Sequence, residues 1–219
     1  MTRTSLALLL GLLAAAPAFA DDENIDKVNG SIQVASGQSA GKLSTVNGGI
    51  HVGDNSHARS AETVNGGIDV GSGATLDSLE TVNGGLRIGA NAKIAKGVTA
   101  VNGSVSLGAG ADVAGKVDNV NGGIKLDAAH VGGGIQTVNG DITIGANARV
   151  EGGIFIDENH SMFNWGFSRK PRVIIGPHAV VQGTLKFKRE VELYVSDSAT
   201  IGPVEGANPQ KFSGEQPSL

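Results

Sequence analysis

Hydrophobic and polar positions in this chain follow two superposed rhythms. Val-Asn-Gly recurs seven times, with its asparagine at Asn29, Asn47, Asn65, Asn83, Asn102, Asn121 and Asn139, so that consecutive units lie 18 or 19 residues apart. A fixed period of this length marks a solenoid, in which each repeat buries its apolar face only by stacking on its neighbours. Inside the long period an apolar residue returns every sixth position, through Val46, Val52, Ala58, Val64, Val70, Leu76, Val82, Ile88 and Ile94. Three sixes predict a three-sided coil. Ile68 and Val70 flank Asp69 with the alternation of a short strand, which turns the outer two inward and the middle one outward. The Asn-Gly before each such strand predicts a corner, because both residues tolerate left-handed backbone angles. Stacking then gathers the seven asparagines into one structural column, and amides turned inward there would hydrogen-bond from coil to coil.

The rhythm continues through Ile144, Val150 and Ile156 and resumes at Ile175, Val181, Phe187 and Leu193. Residues 157–172 obey no repeat and read as a loop inserted at one corner. The predicted fold is all-β, a single parallel β-helix of about ten triangular 18-residue coils over residues 21–206, on the order of 45–50 Å long. The preference for right-handed crossovers favours a right-handed coil. Residues 207–219 are polar and read as a flexible tail. Residues 1–20 read as a secretory signal: Arg3 supplies the charge, Leu6 to Leu13 the apolar run, and Ala18-Phe19-Ala20 the cleavage site. The run is too short to span a bilayer, so the reading is an exported periplasmic or secreted protein with no transmembrane segment.

Composition narrows the function classes. Of 219 residues 34 are glycine and 6 proline, without the three-residue glycine period of collagen. There is no cysteine, which excludes disulfide scaffolds, thiolate zinc sites and a cysteine nucleophile. A net charge of −4 argues against nucleic acid as a partner. The outward column Gln33, His51, Asp69, Arg87, Ser106, Lys125 and Thr143 repeats no residue type, and the column with His57, Thr75, Lys93, Asp112, His130 and Arg149 is equally mixed. Both read as solvated faces. The five histidines, His51, His57, His130, His160 and His178, are spread over the coils, so no metal or other cofactor is expected.

Beyond the signal, every aromatic residue lies between Phe155 and Phe212. Phe163, Trp165 and Phe167 fall in the inserted loop, followed by Arg169, Lys170 and Arg172, and then by Lys186, Lys188 and Arg189. No acidic residue intervenes between Glu158 and Glu190. These nine residues are the candidate partner-binding patch, suited to an anionic envelope glycan or a protein; the competing reading is a loop that covers the coil stack.

Ile88-Gly-Ala-Asn-Ala-Lys, Ile144-Gly-Ala-Asn-Ala-Arg and Ile175-Gly-Pro-His-Ala-Val resemble the hexapeptides of trimeric acyltransferases, which implies an acyl donor and a catalytic histidine, with His178 the one so placed. The Thr-Val-Asn-Gly-Gly-Ile units resemble more closely an exported β-strand-repeat family described as adhesins, which implies binding. The run from Val173 to Gly206 is similar to bactofilins, which implies self-assembly through coil ends. An exported chain has no access to cytoplasmic acyl-CoA. The reading is therefore a non-enzymatic, adhesin-like binding or scaffold module of the cell envelope. A bactofilin-like polymer is the alternative, ahead of a hexapeptide acyltransferase or a polysaccharide-acting enzyme.

Overall fold

A computed structural model describes residues 23–158 and 169–217. The chain is a parallel β-solenoid of about ten coils, and every strand pairing in it is parallel and joins equivalent positions of adjacent coils. One side of the coil is a sheet of ten short strands that begins with Ile32–Val34 and Ile50–Val52 and ends with Glu192–Ser196 and Gln210–Phe212. The other two sides form a second sheet. In the early coils they run together as nine-residue strands, Ser39–Asn47, His57–Asn65 and Thr75–Asn83. From Lys93–Ile94 and Val98–Asn102 onward they separate into two rows of shorter strands.

Six side chains per coil point inward, two from each side. In one coil these are Ile68 and Val70, Ala74 and Leu76, then Leu79 and Thr81, none more than 4% exposed. The corners between these pairs differ in length, so the sixfold rhythm holds for the first two sides and breaks at the third. The pattern there is shifted by one residue: Thr45, Thr63 and Thr81 are buried, whereas Val46, Val64 and Val82 are 41%, 40% and 39% exposed. A one-residue shift sends every side chain of a strand to the opposite face, and those three valines stand outside the core assigned from the rhythm. The stack itself satisfies these three threonines, although the Oγ1 of Thr137, buried in a later coil, has no hydrogen-bond partner. Thr45, Thr63 and Thr81 donate Oγ1 hydrogen bonds to the carbonyls of Gly30, Gly48 and Gly66 at 3.1, 2.9 and 3.0 Å.

The 19-residue spacing has a local origin. Leu76 pairs with Ile94 at 18 residues, but Leu79 pairs with Val98 at 19, so the extra residue lies in the corner where the two merged sides part. After most of the asparagines the glycine serves close approach and not left-handed geometry; Gly30 and Gly122, with φ of 105° and 130°, are the exceptions. A Cβ on Gly66 or Gly84 would overlap the carbonyl of Gly48 or Gly66 in the coil before, although neither glycine has positive φ. The left-handed column runs down a different corner, through Gly37, Asn55, Gly73, Asn91, Gly110, Ala128, Asn147 and His178, with φ between 43° and 71°. Residues 207–219, read from the sequence as a tail, include one further strand. Gln210–Phe212 adds a final strand against Glu192–Ser196, with Tyr194 opposite Gln210 and Ser196 opposite Phe212. Register pairing of backbone groups, which polarity alone does not reveal, extends the sheet there.

Candidate interaction surfaces

The inserted loop leaves after Ile154–Ile156 and rejoins the stack at Arg172–Ile175. Phe163, Trp165 and Phe167 lie outside the described residues, as does His160. The cations of the predicted patch are described, and all are engaged. Arg169 pairs with Asp141, whose other oxygen accepts the Arg172 backbone N–H at 2.9 Å. Lys170 meets Glu190 at 2.8 Å, and Arg172 meets Glu192 at 3.3 Å. Lys186 meets Glu205 at 3.1 Å; Lys188 meets Asp157 at 3.1 Å and lies 5.2 Å from the centre of the Phe155 ring. The hydrogen bond between Lys170 and Glu190 raises the Lys170 pKa and lowers that of Glu190. Acids absent from the local sequence thus arrive from adjacent coils. The cluster carries paired charge, not the unbalanced positive surface that the sequence suggests. At its edge an open cavity of about 500 Å³ is lined by Asn121, Asn139, Asp141, Arg169, Lys170 and Pro171 among others.

Arg189 has a different task. Its Nη1 donates to Asn139 Oδ1 at 2.8 Å and to the Val138 carbonyl at 3.2 Å. Asn139 is the last member of the asparagine column, whose amides form a continuous ladder. Each Nδ2 donates to the Oδ1 of the preceding coil's asparagine, from Asn139 through Asn121, Asn102, Asn83, Asn65 and Asn47 to Asn29, at 2.8–3.0 Å. Arg189 therefore supplies the donor that the terminal Oδ1 would otherwise take from a further asparagine. The ladder is not inward: Asn47, Asn65, Asn83, Asn102 and Asn121 are exposed. From Asn47 to Asn121 each amide spends one N–H and one lone pair on the ladder, which leaves a second N–H for an outside partner.

Next to the ladder stand the valines Val28, Val46, Val64, Val82 and Val120, between 38% and 67% exposed, with Val101 and Val138 in the same column half-buried. Beyond them a third column carries Glu62, Glu80, Thr99, Asp118 and Gln136. The furrow between this column and the valines, lined by Ser44, Glu62, Glu80 and Thr99 on one side, holds about 270 Å³. Two of the three columns on this side, valine and asparagine, keep one residue type from coil to coil, whereas the third is mixed and so are the outward columns of the other two sides. On those, Asp69 and Arg87 form an exposed pair at 3.2 Å, and His57 Nδ1 lies 2.9 Å from Thr75 Oγ1. His130 sits between Asp112, at 2.6 Å from Nδ1, and Glu151, at 3.5 Å from Nε2. The Glu151 pKa is lowered by the hydrogen bond from Arg149, with smaller help from His130. No group of three or more metal-binding side chains occurs among the described residues, and no helix there is long and apolar enough to cross a membrane.

The sequence signal for the regular side is the Val-Asn pair itself. It is legible as a repeat, but sequence alone assigns its valine to the core. No family model, no curated protein and no solved structure matches this chain.

Proposed function

We propose that this protein is a non-enzymatic binding or scaffold module, exported to the cell envelope, and that its contact surface is the side bearing the valine and asparagine columns. The observation that carries this reading is repetition on an outward face: one outward valine and one laddered asparagine per coil over seven coils, with Val28, Val46, Val64, Val82 and Val120 exposed. Core positions repeat in any solenoid because they must pack. Solvated positions have no such constraint, and on the other two sides they vary freely. A regular apolar stripe beside a regular row of amides is the form that a recognition surface takes on a β-solenoid. The signal-like residues 1–20 support export.

The test compares association with isolated cell-envelope material for the wild type, Val64→Lys/Val82→Lys, and a loop variant with Trp165, Arg169 and Lys170 replaced by alanine. The expected result is at least a tenfold loss of association for the valine pair and little change for the loop variant. The reverse pattern would assign binding to the loop. A second reading, end-to-end polymerisation, is favoured by the opening strands Ile25–Asn29 and Ile32–Val34, each of which pairs on one edge only among the described residues. Long rods in negative-stain images would support it.

A further inference from the structure

The three columns of the regular side also specify what can cover it. They advance together by one strand spacing per coil, about 4.8 Å. A partner that meets every step must have the same spacing, and a stack of parallel strands has it by construction. The geometry points to a second copy of this chain, packed face to face over the valine stripe as a two-fold dimer whose axis runs parallel to the solenoid axis. This inference rests on the regular side being the contact surface, as proposed above.

Charge selects the arrangement. A two-fold axis along the solenoid sets each coil against its own copy and brings the column that holds Glu62 and Glu80 in one protomer beside the asparagine column of the other. Glu62 and Glu80 then lie next to amides whose second N–H is unused by the ladder, and the valines meet along the centre. An axis along the strands reverses the stacking and lays each column on itself, with Glu80 facing Glu80 near the middle. Like charges opposed across an interface are disfavoured, so the first arrangement prevails. Glu62 is held at the rim by Lys42, 2.8 Å away, and Glu80 is exposed. Six coil steps and five residues of strand give a face of about 29 by 17 Å, or roughly 1,000 Å² over both partners. That is the lower bound for a specific interface, so the dimer is a reversible one. Face-to-face packing of identical side-chain rows is the geometry by which stacked sheets exclude water.

The sequence contains no cysteine, so single cysteines report position cleanly. Protein purified from cells expressing the full chain is treated with a short bismaleimide as Val46→Cys, Val82→Cys, Val120→Cys and, on another side, Asp69→Cys. Each valine variant is expected to give covalent dimer on its own and Asp69→Cys none. Dimer from Val82→Cys alone would show reversed stacking and overturn the arrangement. Sedimentation velocity across concentrations is expected to show a monomer–dimer equilibrium that Val64→Lys/Val82→Lys weakens at least tenfold, with circular dichroism unchanged. A wild type that stays monomeric, with no valine cross-link, overturns the dimer. If the lysine pair still loses envelope association in that case, the regular side remains the contact surface and only its occupant is wrong. Cross-linked dimers whose envelope association ignores the lysine pair would instead overturn the functional reading.

Discussion

His178 occupies the left-handed position that the other coils mostly give to glycine or asparagine, with φ 56°. A side chain with a Cβ costs about 1 kcal/mol or more there. His178→Gly removes that cost while keeping the backbone N–H bond to Ser198 Oγ at 3.1 Å, and is expected to raise stability by up to ~1 kcal/mol in urea titration. Asp118 is a second point of conflict. It is half-buried, its Oδ1 has no hydrogen-bond partner, and desolvation raises its pKa, with Lys116 opposing. A raised carboxyl pKa means that the folded state holds the proton after the unfolded state has lost it. Stability therefore falls as pH rises through the ordinary carboxylate range towards the raised value, and is flat above it. Asp118→Asn is expected to raise Tm at pH 7 and to make no difference near pH 3. Glu151 and Glu190 behave oppositely: with folded pKa values lowered, their contribution is present above the ordinary glutamate pKa and is lost as pH falls through the lowered one.

Each coil is held by contacts to its neighbours, so the elements fail where two coils touch most closely. Gly84→Ala would place a methyl group against the Gly66 carbonyl and force the backbones apart. The expected cost is about 3 kcal/mol or more, seen as a lower urea midpoint. Gly30→Ala makes the contrast: nothing lies within 4 Å of a Cβ there, so only its φ of 105° resists the change. The buried threonines give a polar counterpart. Thr63→Val keeps the shape but leaves the Gly48 carbonyl without its side-chain donor, and is expected to cost about 1 kcal/mol in the same titration. Towards the other end the equivalent inward positions are Ile156 and Phe187, and no side-chain donor is needed. The period of these elements was legible in the chain from Val-Asn-Gly alone. Their inward face was not, because the three corners differ in length and a strand of period two changes face with a shift of one.

Across the whole molecule the asparagine ladder runs as one polarised row from Asn139 to Asn29, closed at its C-terminal end by Arg189. Arg189→Met keeps the length of the side chain and removes the donors. It is expected to increase amide hydrogen exchange around Val138 and Asn139 while leaving the first coils unchanged, since coupling in a solenoid passes between neighbours. The same chain of contacts explains the basic segment. Arg169, Lys170, Arg172, Lys186 and Lys188 form an unrelieved positive run in sequence, yet Asp141, Glu190, Glu192, Glu205 and Asp157 neutralise them from adjacent coils.

The sequence by itself determined the class of fold, the parallel stacking of equivalent positions, the place of the insertion and the columns into which residues fall. All of these follow from periodicity, which is a property of the chain alone. The tertiary structure decided which columns face water, which cations are balanced, and how far towards the C-terminus the sheet extends. Those depend on corner lengths and on register between coils, where one residue turns a strand over and a neighbour 18 or more positions away supplies the charge.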